Sequence, residues 1–464
     1  MKHEDIKLIN EDEKYIGKEV TVCGWIKTIR KSKNVCFVEL NDGTSLKNLQ
    51  LVINNYNDKI FNLCNVLTVG SSISATGTVV KSINANQNIE MNINNMQLIG
   101  KCPNDYPIQK KRQNMEFLRE IPHLRTRTNT FNAVFRVRSI LAKAFHDYFQ
   151  KNNFTYVNTP IITGSDCEGA GEMFRVTTLD ISEISKNSFD NNLDSKDFFG
   201  KKVGLTVSGQ LEAEALACSF GKVYTFGPTF RAENSNTSRH AAEFWQIEPE
   251  VAFADLNDII IIAEDVIKYV LKEVLEKCSP EISFFTKYFD SELTNRLNNI
   301  VESEFEKLDY TDAIKILENS GLEFEYPVYW GCDLKSEHER YLTDVIFKKP
   351  VFIINYPKEL KSFYMKSNAD GKTVASTDLL VPGIGEIIGA SQREDDFDLL
   401  EKRIEQLEMT KEDYLWYLDL RKYGSVPHSG FGIGFERLVM YTTGMENIRD
   451  TIPFPRTKCK KLKL

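Results

Sequence analysis

Tyr224-Thr225-Phe226-Gly227-Pro228-Thr229-Phe230-Arg231-Ala232-Glu233 leads into the polar loop Asn234 to Ala242, and the chain returns as Glu243-Phe244-Trp245-Gln246-Ile247-Glu248-Pro249-Glu250. An apolar strand ending in Arg and Glu, a polar loop and a second strand make a hairpin. Such a hairpin aims Arg231, Glu233, His240 and Phe244 at one ligand. A guanidinium is always charged and forked, which suits a carboxylate or a phosphate. Phe244 offers a face on which a base can stack. Taken alone, Arg231 reads more readily as an ordinary surface charge.

A second stretch is Ser429-Gly430-Phe431-Gly432-Ile433-Gly434-Phe435-Glu436-Arg437. Its alternating glycines admit a backbone or a flat ligand at close range. A helix then opens at Glu436-Arg437. This is neither the dinucleotide fingerprint nor a Walker loop, because no GxGxxG sits in a βαβ unit and no Gly-Lys-Ser/Thr follows.

Outward from these stretches, the chain has 464 residues, 42% hydrophobic and 27% charged, an ordinary globular balance. No run approaches the ~20 apolar residues of a membrane span, and the N-terminus lacks a signal-peptide core, so a cytosolic protein is expected. Nine scattered cysteines, never spaced CxxC, argue against zinc and for reduced thiols. Net charge is −8, yet residues 1–150 hold 21 Lys and Arg against 14 Asp and Glu. A polyanion can dock on that part.

Five short strands are expected in residues ~15–100: Val20–Ile26, Val35–Leu40, Leu49–Ile53, Ser72–Val80 and Ile89–Leu98, with a turn at Asn41-Asp42-Gly43-Thr44. They predict a small OB-fold barrel over 1–102. A basic, proline-punctuated hinge follows over 103–130. From Phe131 the residues Val134, Val137, Ile140, Leu141, Ala144, Phe145 and Tyr148 keep a helical period, and Thr155–Pro160 is extended. The remainder, 131–464, mixes strands and helices without βαβ alternation. That predicts an α+β domain with an antiparallel sheet flanked by helices, including amphipathic helices over ~255–277 and ~396–421 and an insertion around 280–370.

The helix and strand ending at Pro160, Phe230-Arg231-Ala232-Glu233, and Gly430–Arg437 occur in the order of three motifs. Together they make the chain resemble the class II aminoacyl-tRNA synthetases, and the preceding barrel resembles the subgroup for aspartate, asparagine and lysine. The resemblance covers essentially the whole chain. It implies a homodimer, ATP and Mg²⁺, and a tRNA whose anticodon meets the barrel.

The resemblance also assigns residues. Glu168, Ser208 and Gln210 sit at the α-ammonium of the amino acid. Arg231 bridges the α-carboxylate and the α-phosphate, with Glu233 beside it. His240 lies near the pyrophosphate, Arg437 holds the γ-phosphate, and Phe244 stacks on adenine. Asp378 and Glu386 are the candidate Mg²⁺ carboxylates, although their spacing is one residue longer than in aspartate relatives. Arg393 meets the substrate side chain. Aspartate relatives carry a Lys where this chain has Ala213, and Glu214 follows. An Arg with a carboxylate suits an amide, with Arg393 donating to the carbonyl and Glu214 accepting from the NH₂. L-asparagine and tRNA(Asn) are therefore the expected substrates. Phe37 and Gln50 are expected to meet anticodon bases, with Arg30, Lys31 and Lys33 on phosphates. From strand alternation alone, Phe37 fits the barrel core equally well. Two other readings stay open: an aspartate-charging enzyme, and a paralogue that charges no tRNA.

Overall fold

Alternating apolar residues close five strands into the barrel that the sequence predicts. The strands are β1 (Glu19–Lys31), β2 (Val35–Asn41), β3 (Leu49–Asn54), β4 (Ser72–Lys81) and β5 (Ile89–Gly100), joined in the order β1-β2-β3-β5-β4. Cys36, Val38 and Leu40 of β2 point inward and are fully buried, whereas Phe37 and Glu39 are half-buried on the other face. Leu51, Ile73, Val79 and Met91 fill the same core. The β3–β5 pair is parallel. Arg30 pairs with Phe37, and Phe37 with Val52, while Glu39 pairs with Gln50. Arg30, Phe37 and Gln50 thus share the outer face of β1–β2–β3.

This computed structural model describes residues 3–55, 58–82, 87–109, 113–167, 173–180, 193–234 and 237–458. The chain divides into two units, Met1–Phe135 and Arg136–Leu464. Among the described residues, no helix is long and apolar enough to cross a membrane.

The second unit is built on an eight-stranded sheet. A small three-stranded sheet of β7 (Ile162–Thr163), β8 (Arg175–Val176) and β9 (Val203–Leu205) lies apart from it. The large sheet contains β6 (Thr155–Tyr156), β10 (Lys222–Phe230), β11 (Glu243–Ala252), β12 (Glu306–Asp309), β13 (Val351–Ile354), β14 (Ser376–Val381), β15 (Gly385–Gln392) and β16 (His428–Gly434). Their order is β12-β13-β14-β15-β16-β11-β10-β6. The centre is antiparallel as expected, but each outermost pair is parallel. The helix Leu256–Lys277 starts at a capping box formed by Asp255 and Asp258. Its stripe Ile259, Ala263, Val266, Ile267, Val270 and Val274 is buried, and the helix packs on β14, β15 and β16.

One expectation changes. The single helix over ~396–421 is two helices, Phe397–Gln406 and Leu415–Lys422. The first ends where Glu408 turns left-handed (φ 54°), with Met409 N–H bonding Ile404 O and Glu408 N–H bonding Glu405 O, a Schellman closure. The stretch around 280–370, expected to be an insertion within the catalytic domain, contains β12 and β13 of the main sheet.

Leu51→Ala removes a fully buried side chain and should cost about 2–5 kcal/mol in urea unfolding. Phe37→Ala, on the outer face, should cost about 1 kcal/mol or less.

Candidate functional site

Strand alternation on β11 points Phe244, Gln246, Glu248 and Glu250 to one side. All four line a cavity of about 410 Å³ in the second unit. Its other walls include Arg231, Arg239 and His240 after β10, Glu386 and Arg393 on and after β15, and Arg437 after β16. The hairpin and the glycine-rich stretch therefore meet, because β16 lies between β11 and β15.

One half of the cavity is cationic. Arg231 N–H donates to Ala242 O at 3.1 Å, which ties the strand ends together. The Arg231 guanidinium lies 5.4 Å from the Phe244 ring centroid and 3.8 Å from Glu233. His240 Nε2 is 3.3 Å from Glu233 Oε2. Arg437 Nη1 donates to Glu386 O at 2.9 Å and reaches Glu386 Oε2 at 3.4 Å. Burial, with the neighbouring Arg437 charge, lowers the pKa of Arg239. Two guanidiniums that repel on one wall, beside an aromatic face, suit a nucleotide polyphosphate. Glu436 anchors this wall from behind: it pairs with Arg138 at 2.7 Å and accepts Trp245 N–H at 2.8 Å.

The other half is a buried ion network. Glu250 takes a bidentate grip from Arg393, Nη2 at 2.5 Å and Nε at 3.2 Å. Gly430 makes room for it, since a Cβ there would fall 2.2 Å from the Glu250 carboxylate. Burial pushes the Glu250 carboxyl up to about 7 against the pull of Arg393, with the Glu214 charge adding to the rise.

Glu214 does not line the cavity, contrary to the expectation from sequence. It is fully buried behind Arg393, whose Nε lies 3.8 Å away. Its oxygens accept from Tyr417 OH at 2.7 and 2.8 Å, Arg421 Nη2 at 2.8 Å and Gln210 Nε2 at 3.0 Å, with His428 Nε2 at 2.9 Å. Burial raises the Glu214 pKa, but Arg421, His428 and Arg393 outweigh it and hold the carboxyl well below the usual range. Its oxygens thus face Tyr417, Arg421, Gln210 and His428, with Arg393 close by. Glu250 is the carboxylate on the cavity side of Arg393.

Ser208 and Gln210 line the cavity as expected. Ser208 Oγ donates to Glu248 Oε1, and Gly209 N–H to Glu248 Oε2 at 3.1 Å. Glu168 lies outside the described residues. Sequence reasoning passed over Glu248, Glu250 and Arg239, although the period-two pattern from Phe244 to Glu250 was the signal for the two carboxylates.

Asp378 and Glu386 both line the cavity. Their oxygens, Asp378 Oδ1 and Glu386 Oε1, lie 3.7 and 3.5 Å from where a Gly389 Cβ would be. Two carboxylates over one glycine fit a Mg²⁺ ion that takes its remaining ligands from substrate phosphates and water. Asp378 already meets Lys361 Nζ at 2.7 and 2.8 Å, so Glu386 is the more available ligand. Burial raises the Asp378 pKa, Lys361 opposes that rise, and the Glu386 charge adds to it.

In the first unit, Arg30 is exposed and Phe37 half-buried on the outer barrel face. Gln50 Nε2 donates to Glu90 Oε2 at 3.3 Å. Lys31 Nζ sits 4.4 Å over the Phe61 ring, and Lys33 is exposed.

The family model "tRNA synthetases class II (D, K and N)" matches residues 114–458. A second, "OB-fold nucleic acid binding domain", matches residues 20–99. An asparagine--tRNA ligase of Clostridium kluyveri is 58% identical over 453 residues, covering 97% of each chain. One of Clostridium tetani is 57% identical, covering 98% of this chain and 99% of its own. The crystal structure of asparaginyl-tRNA synthetase from Pyrococcus horikoshii complexed with asparaginyl-adenylate matches with TM-score 0.88 and 33% identity. Both chains are covered in full.

Arg421→Met should strand the buried Glu214 charge and cost about 3–5 kcal/mol at neutral pH in thermal or urea unfolding. A depressed carboxyl pKa stabilises above the unfolded value of about 4.3, and that contribution fades as pH falls through the folded value. The gap between wild type and variant should therefore narrow on acidification.

Proposed function

The chain belongs to the class II tRNA synthetases (D, K and N), and from that premise we propose that it ligates L-asparagine to tRNA(Asn) with ATP, through an asparaginyl-adenylate. Near-full-length identity to asparagine--tRNA ligases carries the reading. The Arg393–Glu250 pair, in one cavity with Arg231 and Arg437, supports it from geometry.

The asparagine α-carboxylate attacks the α-phosphorus of ATP, and pyrophosphate leaves. The nucleophile is already ionised at neutral pH, so this step needs positioning and charge neutralisation rather than a base. Arg231 bridges the α-carboxylate and α-phosphate, with Glu233 holding its guanidinium. Phe244 stacks on adenine, while Arg437, Arg239 and His240 face the pyrophosphate. Glu386 and Asp378 would hold Mg²⁺, which when bound would neutralise further phosphate charge. Ser208 and Gln210, with Glu168, surround the α-ammonium. The terminal ribose hydroxyl of the tRNA then takes the acyl group, and AMP leaves.

Side-chain choice rests on Arg393 donating to the amide carbonyl and Glu250 accepting from the NH₂. An aspartate carboxylate in that place meets Glu250 as a like charge. Ala213 supplies no second cation. Arg30, Phe37 and Gln50 form the barrel face for the anticodon. The enzyme acts as a homodimer through the segment around Pro160, where Tyr156, Ile161 and Ile162 are 38%, 45% and 41% exposed.

ATP–pyrophosphate exchange should run with asparagine and not with aspartate; equal rates would overturn the side-chain assignment. Arg231→Ala should slow exchange by about 10²-fold or more, with thermal unfolding unchanged. A Glu250 pKa raised to about 7 means that acidification protonates it and removes the repulsion. The asparagine-over-aspartate ratio should then fall between about pH 8 and about pH 6, by at most about tenfold per pH unit, and Glu250→Gln should flatten that profile. Phe37→Ala should weaken tRNA charging and leave exchange intact.

A further inference from the structure

Within the stretch 279–370, Lys361 meets Asp378 at the cavity, and a second element touches two cavity walls. The short helix Ser336–Arg340 runs straight into a π-helix, Tyr341–Phe347. Residues five apart on an α-helix lie about 140° apart. The wider π turn, closed by i→i+5 bonds, brings such residues toward one side, and π turns are frequent at functional sites. Glu339, near the end of the α-helical part, and Asp344, within the π-helix, are five residues apart, and both reach the chain that leads from β14 into β15. Asp344 Oδ1 accepts Gly383 N–H at 2.8 Å, and Glu339 Oε2 accepts Glu386 N–H at 3.3 Å.

The turn is shaped for this grip. Gly385 has φ +87°, and a Cβ there would fall 2.2 Å from Glu339 Oε2. Gly383 (φ +88°) lies against the Arg296 side chain, which is itself paired to Asp290 at 2.6 Å and stacked on Tyr441. At the other end of the element, Ser336 Oγ accepts from Arg239 Nη1 at 3.1 Å. Arg340 Nε, 3.3 Å from Asp344 Oδ2, steadies that carboxylate. One short segment therefore holds the backbone that carries Glu386 and also a cation of the hairpin loop.

We propose that Ser336–Phe347 is a positioning clamp for the nucleotide half of the site. Glu339 and Asp344 are positioning residues that hold the chain from β14 into β15 by the Glu386 and Gly383 N–H groups, so that Glu386 and its partner Arg437 face the ATP phosphates. The proposal rests on the reading of Glu386 and Arg437 as nucleotide-binding groups. The clamp needs acceptor oxygens, not charge. An amide at either position keeps an acceptor, whereas alanine leaves the turn N–H groups without one.

The test compares Glu339→Ala, Glu339→Gln, Asp344→Ala and Asp344→Asn in the full-length enzyme. ATP with Mg²⁺ and asparagine alone are each titrated by calorimetry, alongside thermal unfolding and the separate KM values in exchange. The alanine variants should bind ATP tenfold or more weakly, the scale of losing a group that orients a ligand-binding carboxylate. Asparagine affinity should not change, and Gln and Asn should restore ATP affinity to within about threefold of wild type. Unchanged ATP binding in the alanine variants would overturn the proposal, as would a parallel loss of asparagine and ATP binding, or Gln and Asn variants as weak as alanine. Glu386→Gln serves as the control. If it leaves ATP binding intact, the reading of the nucleotide half fails, and that failure is distinct from a failure of the clamp alone.

Discussion

The Arg393–Glu250 pair is the constraint around which the catalytic unit is arranged. Two ions taken out of water are costly unless their geometry is close to ideal and their remaining hydrogen-bonding positions are filled. Each of those needs is met by a different element. β11 brings Glu250, β15 brings Ser391, which accepts from Arg393 Nη1 at 2.7 Å, and β16 brings the glycine that leaves room for the carboxylate. The helix Gln210–Phe220 brings Glu214, and Leu415–Lys422 brings Tyr417 and Arg421. Such a network is weak evidence for stability but strong evidence for a fixed donor and acceptor at one point in space, which discrimination between an amide and a carboxylate demands.

The cavity divides its labour by charge. Toward the hairpin loop, Arg231, Arg239 and Arg437 gather, with Glu233 and Glu386 beside them. Toward Arg393, cations and carboxylates are matched, so the surroundings favour a neutral guest. Arg231 lies on the cationic wall, and the cavity also takes in Arg393 at its matched end. The same strand, β11, serves both halves, because Phe244 and Glu250 lie on one face of it.

Much of this was legible in the sequence. The barrel strands begin within a residue or two of where alternation placed them, since the inward positions of β2 and β3 are consistently apolar. The hairpin and glycine-rich stretch named Arg231, His240, Phe244 and Arg437, all of which meet in one cavity. The depth of Glu214 was not legible, because on the helix Gln210–Phe220 a fully buried carboxylate looks in sequence like any helical Glu. The two-helix break at Glu408 lacked a glycine to mark it. The parallel partners β12 and β13, each only four residues long, depend on pairing across a long connection that local patterning cannot register. The hydrogen bonds from the turn to Glu339 and Asp344 are likewise long-range, so no motif announced them.

The strand order has a consequence for how the molecule comes into being. β16, the C-terminal strand of the described sheet, lies at its middle, between β11 and β15. During synthesis the barrel can close once its strands have left the ribosome, since it needs no later segment of sheet. The catalytic sheet cannot do so: until residues 428–434 emerge, β11 and β15 each present a bare edge, the kind of surface that recruits stray strands. Contacts spanning so much chain are also slow to form. A nascent chain therefore passes through a stage with one finished unit and one split sheet, and a ribosome that stalls before residue 428 leaves a product exposed to aggregation rather than a smaller working enzyme.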